Sequence, residues 1–276
     1  MCGFIENSTE KKLPDNLSTY PVYTSIAQLK EKNNKINLLI FCPEKTKEDS
    51  LTREIYTEFF SGVSIINLID FYEKIFGRLP PFIFSENWFL SNLPEQDKKI
   101  YDRLKIILDF IAATLMSIFF VFTFPLIALL IKITSPGPIF FTQTRIGLLG
   151  KPFKIYKYRT MRAINVDGSA EINGPQYAQK QDVRITTIGK FLRATRIDET
   201  PQFINIFRGE MSLIGPRPER PEFVEELTRA LPYYRLRHLT KPGLTGWAQL
   251  HNSYYGSIEE NLKKLEYDLF YINIAI

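Results

Sequence analysis

A long apolar run at residues 106–131 constrains this chain more than any other feature of its sequence. The run reads IILDFIAATLMSIFFVFTFPLIALLI and contains one charged side chain, Asp109. A straight helix of this length would extend roughly 39 Å, which exceeds the ~30 Å hydrocarbon core of a bilayer. The run therefore predicts a membrane helix, and a helix buried in a soluble core is a weaker interpretation.

The residues around the run favour a helix that enters and leaves the membrane on one side. Arg103 and Lys105 precede it, and residues 132–166 carry seven basic side chains and no acidic one. Basic flanks favour the cytoplasmic side, and a straight span can place only one of them there. Pro125 removes a backbone hydrogen bond within the run and favours a kink. We therefore predict a re-entrant helix, with a tilted transmembrane span as the alternative.

The remaining composition makes several classes of protein and site improbable. The chain has two cysteines and two histidines, so neither a disulfide framework nor a His/Cys zinc site is expected. No apolar signal segment opens the sequence, so we expect the N-terminal residues to stay in the cytoplasm. The net charge is +5. Basic patches allow nucleic-acid binding, but the membrane run argues against it, and we expect no nucleic-acid partner.

Residues 1–97 read as an α/β domain. Strand-like segments at 36–42 and 63–68 are separated by a helical pattern around DSLTREIYTEFF, and such alternation predicts a parallel sheet with crossover connections. No glycine-rich fingerprint follows any strand, so dinucleotide binding is unsupported. We predict a partial Rossmann-like domain with a regulatory or scaffolding role.

The second soluble region is predicted to be a compact, mainly helical α+β domain over residues 134–276, after a membrane segment at 98–133. Two strand-like segments, PIFFTQTRIG and FKIYKYRTM, are followed by short helical patterns and by longer amphipathic ones. The sequence stops at Ile276 inside an apolar helical pattern, so we expect a truncated C-terminus.

The segment IDETPQ at residues 197–202 has a structural and a chemical interpretation. Thr200 suits a helix N-cap, Pro201 suits the first helical position, and Asp198 and Glu199 would complement the helix dipole. On this interpretation the two carboxylates belong to a helix start and nothing more.

The basic side chains nearby favour the chemical interpretation. Lys190, Arg193 and Arg196 are spaced three apart, so on a helix they would share one face and attract an anion. Guanidinium groups in such numbers indicate phosphate recognition, and the helix start would add backbone N–H donors. We expect a carboxylate among these cations to have a lowered pKa, and then to bind Mg²⁺ or attack phosphorus.

Three long segments resemble one known family. These are SPGPIFFTQTRIGLLGKPFKIYKYRTM, TTIGKFLRATRIDETPQFINIFRGEMSLIGPRPE and KPGLTGWAQL. They are similar to the bacterial sugar transferases, the monotopic phosphoglycosyl transferases that act on polyprenyl phosphate. The resemblance covers roughly residues 100–272.

The resemblance implies roles for individual residues. It assigns Asp198 as the nucleophile that forms a covalent phosphosugar intermediate, with Glu199 as its partner and Mg²⁺ held by both. It also implies a set of substrate-binding residues, which are Lys157, Arg159, Arg193, Pro216, Arg217 and Pro218. Tyr158 stands where the family usually has Phe, and Phe124 stands where Ser commonly precedes the helix-breaking proline.

The resemblance also implies a reaction and a location. We expect transfer of a phosphosugar from a UDP-sugar to undecaprenyl phosphate at the inner membrane, with the catalytic domain on the cytoplasmic face, as the first step of bacterial polysaccharide or glycan assembly. Membrane lipids are expected partners, and a homodimer is possible. The alternative is a catalytically silent, membrane-tethered scaffold of a polysaccharide assembly complex.

Overall fold

The structure is a computed structural model that describes residues 4–5, 22–23, 25–32, 36–42, 49–83, 99–165, 167–170, 182–251 and 257–275. The chain divides into two compact units, Met1–Trp88 and Phe89–Ile276, and each is described by itself.

The first unit alternates short strands and helices. Its elements are β1 (Phe4–Ile5), β2 (Val22–Tyr23), α1 (Ile26–Lys32), β3 (Leu38–Phe41), α2 (Asp49–Phe59), β4 (Ser64–Asn67), α3 (Leu68–Phe76) and a 3₁₀ turn (Pro81–Ile83). β3 pairs in parallel with β4 through the crossover helix α2, as predicted, and β1 pairs in parallel with β2. Among the described residues these pairs form separate two-stranded sheets, so the Rossmann-like arrangement stays a prediction.

The second unit begins with the apolar helix. Its helices and strands are α4 (Lys99–Thr134), β5 (Phe140–Ile146), β6 (Pro152–Tyr158), α5 (Thr187–Ala194), α6 (Phe203–Phe207), β7 (Ser212–Ile214), α7 (Pro221–Ala230), β8 (Gly243–Thr245), α8 (Trp247–His251) and α9 (Ile258–Ala275). Its 3₁₀ turns are Leu148–Gly150, Ile197–Gln202 and Tyr234–Leu239. The two predicted strands form the antiparallel hairpin β5–β6, in which Phe141 lies opposite Lys157.

A second strand pair positions the loop that follows β7. β7 and β8 are parallel, and Gly215 N donates to Thr245 O at 2.9 Å. A Cβ at Gly243 would lie 2.1 Å from Gly215 N, so this close approach requires glycine. The chain leaves β7 beside β8 and enters the loop at residues 216–219.

Helix α4 packs on the rest of its unit along one face. Near its start, Asp109 Oδ1 accepts hydrogen bonds from Ser212 Oγ at 2.9 Å and Leu213 N at 2.7 Å. Near its end, Ile127 and Ile131 lie in a buried cluster with other apolar side chains. The opposite face exposes large apolar side chains along most of the helix, which include Ile107, Leu115, Phe122, Leu126 and Ile133. Among the described residues α4 is the one helix long and apolar enough to cross a membrane.

Two apolar clusters join α4 to the strands that carry the site. One contains Ala113, Ile155, Ile206 and Met211, and the other contains Ile127, Ile131, Tyr158 and Leu192. Phe120 stacks on Tyr158, with 5.7 Å between ring centroids. Strand β6 is therefore held from both halves of α4.

Candidate active site

Three separate elements bring charged side chains together around Glu199. Its Oε1 accepts a hydrogen bond from Lys157 Nζ of strand β6 at 2.6 Å. The same oxygen accepts one from Arg217 Nη2, in the loop after β7, at 2.9 Å. Glu199 is 6% exposed, so one buried carboxylate oxygen binds two cations. The predicted residues Lys157, Glu199 and Arg217 are thus neighbours in the structure.

Asp198 differs from its neighbour in having an unpartnered oxygen. It is 8% exposed, and its Oδ1 is buried without a hydrogen-bond partner among the described residues. An unpaired buried carboxylate oxygen is costly for stability. Such an oxygen is available to attack an electrophile or to bind a cation, whereas Glu199 Oε1 is already engaged. We call Asp198 and Glu199 the dyad, and the dyad together with Lys157 and Arg217 the dyad cluster.

The backbone around the dyad differs from the predicted helix start. Residues Ile197–Gln202 form a 3₁₀ turn, and Arg196 before it adopts the left-handed conformation with φ 59°. Thr200 Oγ1 donates to Ile197 O at 2.9 Å and caps no α-helix. The predicted N-cap at Thr200 is wrong, because the 3₁₀ turn absorbs Pro201 and α6 begins only at Phe203. With five residues, α6 also gives no support for the expected site of backbone N–H donors.

The pKa values of the two carboxyl groups shift in opposite directions. Burial raises the pKa of Glu199, but Lys157 and Arg217 outweigh it, so this pKa lies well below its ordinary value. Burial dominates for Asp198 and raises its pKa, although Lys157, Arg193 and Arg196 act in the opposite direction. The expectation of a lowered pKa for Asp198 is therefore wrong, since desolvation exceeds the attraction of the cations.

Arg193 lies beside the dyad, but the predicted basic stripe is wrong. Helix α5 ends at Ala194, and the left-handed Arg196 leaves the helical face that Lys190 and Arg193 share. Arg193 Nε donates to Thr160 Oγ1 at 2.8 Å, and its charge acts on Asp198. Sequence reasoning missed Thr160, because its role depends on the meeting of β6 and α5 rather than on a motif.

The side chain of Arg159 lies at the C-terminal end of α4. Its side chain is 2% exposed, with Nη2 donating to Ser135 O at 2.7 Å and Nη1 donating to Pro136 O. A Cβ at Gly137 would lie 2.5 Å from Arg159 Nη1, so the turn after α4 closes around the guanidinium. Arg159 thus caps the C-terminal end of α4, where free carbonyl groups require donors, and its role in substrate binding stays a prediction.

The prolines of the loop at 216–219 contribute backbone carbonyl groups. Pro216 O accepts from Gly243 N at 3.0 Å, and Pro218 O accepts from Arg145 Nη1 at 3.2 Å. Both prolines flank Arg217, so they restrict the backbone from which its guanidinium reaches Glu199. Nothing in the sequence indicated Arg145, because a strand arginine at this spacing is typical of an exposed side chain.

The carboxylates of Asp198 and Glu199 meet part of the requirements of a hard cation such as Mg²⁺. No cluster of three or more His, Cys, Asp or Glu side chains that could hold a metal occurs in the described part of the chain. Asp198 Oδ1 is nevertheless an unengaged oxygen beside a second carboxylate. Mg²⁺ is commonly held by one or two carboxylates together with substrate phosphates and water. Asp198 and Glu199 are thus candidate ligands, and the Mg²⁺ site remains a prediction.

Comparison with known proteins identifies the family. Residues 100–275 match the model of the family described as "Bacterial sugar transferase". The chain belongs to the bacterial sugar transferase family. The match begins at the second residue of α4 and ends at the last residue of α9, so it includes the dyad cluster and the elements that support it.

Relatives from three bacteria bear the names of sugar-phosphate transferases. The UDP-N-acetylgalactosamine-undecaprenyl-phosphate N-acetylgalactosaminephosphotransferase of Aeromonas hydrophila is 40% identical over 72% of this chain and 45% of its own. A UDP-glucose:undecaprenyl-phosphate glucose-1-phosphate transferase of Escherichia coli is 39% identical over 70% of this chain and 44% of its own. A Caulobacter vibrioides protein of the same name is 42% identical over 62% and 63%. This chain spans less than half the length of the first two relatives.

Proposed function

We propose that this chain transfers a phosphosugar from a UDP-sugar to a polyprenyl phosphate, with Asp198 as the nucleophile. The observation that carries the proposal is the unpartnered Oδ1 of a buried aspartate beside a carboxylate that holds two cations. The relatives, whose names give UDP-sugars and undecaprenyl phosphate, support the substrate class. Their two names differ in the sugar, so the sugar used by this chain stays open.

In the first half-reaction, Asp198 Oδ1 attacks the phosphorus that bears the sugar. A bond forms between this oxygen and phosphorus, the bond to the bridging oxygen breaks, and UMP leaves with that oxygen and its electron pair. The carboxylate must be ionised to attack, and the surrounding cations oppose the effect of burial on its pKa. Covalent catalysis allows a soluble donor and a lipid acceptor to use one site in turn.

In the second half-reaction, a phosphate oxygen of the polyprenyl phosphate attacks the same phosphorus. The bond between phosphorus and Asp198 breaks, the carboxylate is restored, and the product is a polyprenyl diphosphate sugar. Neither half-reaction has a net requirement for an oxidant or a reductant.

The cations of the site have distinct roles in this proposal. Lys157 and Arg217 neutralise Glu199 while their remaining N–H donors are available to phosphate oxygens. Glu199, whose pKa is strongly lowered, stays ionised and orients the two cations rather than carrying protons. Mg²⁺ held by Asp198 and Glu199 would neutralise charge on the diphosphate.

Helix α4 supports a membrane location for the site. Both halves of the helix contact one compact unit, through Asp109 near the start and Ile131 near the end. A straight helix of 36 residues would be roughly 54 Å long. If it crossed the bilayer, the polar unit that contacts both of its halves would have to lie within the hydrocarbon core. We propose that α4 enters and leaves on one face, and the basic flanks favour the cytoplasmic face of the inner membrane. The homodimer stays a prediction.

The test is UMP release from this chain in detergent or nanodiscs, with Mg²⁺, undecaprenyl phosphate and a panel that includes UDP-glucose and UDP-N-acetylgalactosamine. We expect release with at least one donor, and its loss in Asp198→Asn. Asp102→Asn, an exposed aspartate at the start of α4, is the matched control and should retain activity. A folded wild-type chain that is silent across the panel would favour the scaffold alternative.

A further inference from the structure

The loop at residues 216–219 delivers Arg217 to the dyad, and other parts of the chain hold its backbone. Pro216 and Pro218 have no N–H, so the loop has few backbone donors with which to hold itself. Its carbonyl groups instead accept from side chains far away in sequence. Arg237 Nη2 donates to Arg217 O at 2.8 Å, and Arg145 Nη1 donates to Pro218 O at 3.2 Å.

A second layer of charged groups fixes Arg237. Its Nε and Nη2 donate to Asp268 Oδ2 of helix α9 at 3.2 and 2.8 Å, and its Nη1 donates to Tyr234 Oη at 2.8 Å. The side chains of Arg237 and Asp268 are each 2% exposed. The guanidinium therefore has a single orientation in which one nitrogen reaches both α9 and the loop.

The carboxylate of Glu219, at the end of the loop, is held by the same helix. It accepts from Lys264 Nζ, and Arg145 Nη1 lies 3.4 Å from its Oε2. Lys264 and Asp268 are four residues apart, so one face of α9 supplies both charges. We call Arg145, Glu219, Arg237, Lys264 and Asp268 the loop-support network.

A contribution to folding stability does not by itself explain why the chain has this network of buried charges. Buried ion pairs often contribute no more than apolar side chains of similar volume, because desolvation offsets their attraction. The guanidinium groups of Arg237 and Arg145 donate hydrogen bonds to the carbonyl oxygens of residues 217 and 218. An apolar core could fill the same space, but it could not hold those carbonyl groups or fix the direction from which Arg217 approaches Glu199.

We propose that Asp268 and Lys264 of α9 are positioning residues, which act through Arg237 and Glu219 to hold Arg217 against Glu199. The reaction they serve is the proposed phosphosugar transfer, so the kinetic part of this inference rests on that proposal. Neither side chain touches the dyad, and their effect depends on Arg217.

The test compares Asp268→Asn with Leu265→Ala, a fully buried apolar side chain on the same helix. Each is measured alone and combined with Arg217→Ala, per folded protein. In the wild-type background we expect Asp268→Asn to lower kcat about ten- to a hundredfold, because small misplacements of catalytic groups have effects of this order. In the Arg217→Ala background the further loss should be less than about twofold. Leu265→Ala should lower stability but leave kcat within about twofold in both backgrounds.

Tyr234→Phe is a milder variant, in case Asp268→Asn does not fold. It removes one acceptor of Arg237 and should lower kcat by less than Asp268→Asn, with the same dependence on Arg217. Equal losses with and without Arg217, for whichever of these variants folds, would overturn the inference.

Hydrogen exchange gives a readout that does not need activity. Gly215 N and Gly243 N donate to Thr245 O and Pro216 O at the two sides of the loop. We expect faster exchange in peptides that contain these amides for Asp268→Asn or Tyr234→Phe than the loss of global stability explains, and no such excess for Leu265→Ala. The same exchange in all variants would contradict the positioning role even if the wild-type chain showed no transfer at all.

Discussion

The dyad cluster and the loop-support network each contain a buried aspartate, but the two aspartates differ in their hydrogen bonds. Asp268 Oδ2 accepts two N–H groups of Arg237. Asp198 Oδ1 has no hydrogen-bond partner among the described residues. Asp198 and Asp268 are both buried, so burial of the carboxylate does not distinguish the two, and hydrogen bonding does. An aspartate whose oxygen accepts two N–H groups is held in place, whereas Asp198 Oδ1 is free to react, and this contrast is the basis for the proposed role of Asp198.

Removing a cation from the dyad cluster gives the largest expected effect. Arg217→Ala should reduce kcat/KM about a hundredfold, because Arg217 is one of two cations on Glu199 and is a proposed donor to the phosphate oxygens. The measurement is UMP release against donor concentration. Arg229→Ala, which changes a mostly exposed arginine on α7, is the control and should have no effect. A loss below about threefold would mean that Arg217 only balances charge.

Arg159 should affect stability rather than chemistry, although it lies two residues from Lys157. Arg159→Gln removes donors from buried carbonyl groups at the end of α4, so we expect a loss of about 3 kcal/mol in the free energy of unfolding. Lys157→Gln should instead abolish most turnover at similar stability. Thermal unfolding and UMP release on both variants separate the two roles, and Arg162→Gln, at an exposed position, is the control. A raised KM for the donor in Arg159→Gln, at unchanged stability, would favour the substrate-binding prediction over a purely structural role.

The acid limb of the activity profile should reveal the raised pKa of Asp198. Burial raises this pKa, so the limb should lie at higher pH than the titration of an ordinary aspartate. Arg196 lowers the same pKa, and Arg196→Gln should therefore move the limb to still higher pH. Lys190→Gln, on α5, should leave it in place. A limb that moves to lower pH in Arg196→Gln would contradict this electrostatic account.

The smallest expected effect concerns a hydroxyl with no partner. Tyr158 is 1% exposed, and its Oη has no hydrogen-bond partner in the described part of the chain. Tyr158→Phe should raise the free energy of unfolding by up to about 1 kcal/mol, because it removes an unsatisfied polar atom. Tyr156→Phe is the contrast, since its hydroxyl accepts from Arg208 Nη1 and its loss should destabilise slightly. Destabilisation by Tyr158→Phe would show that the hydroxyl has a hidden partner.

Local patterns predicted most of the elements and the residues of the dyad cluster. The strands of the β5–β6 hairpin, the crossover between β3 and β4, and the helices α2 and α7 follow from side-chain periodicity, which reflects short-range geometry. The motif at 197–202 placed Asp198 and Glu199 in one turn. The family resemblance indicated Lys157 and Arg217, which the fold places beside that turn.

The errors came from properties that depend on the whole fold. Thr200 and Pro201 are typical of a helix start, but tertiary contacts impose a 3₁₀ turn after the left-handed Arg196. The motif that contains Lys157 and Arg159 gave no sign of the carbonyl groups that Arg159 caps, because they belong to the end of α4. The pKa of Asp198 depends on the balance between desolvation and nearby charge, which a sequence does not give. The contribution of α9 was likewise hidden, because it joins residues far apart in the chain.

The most direct test of Asp198 as the nucleophile is the mass of the protein after incubation with a UDP-sugar and Mg²⁺ but without lipid acceptor. We expect release of no more than one UMP per chain and a phosphosugar adduct on the peptide that contains Asp198. The adduct should disappear when undecaprenyl phosphate is added, and it should be absent in Asp198→Asn. Turnover that requires both substrates and never forms an adduct, or an adduct on Glu199 instead, would contradict the central role of the unpartnered Asp198 oxygen.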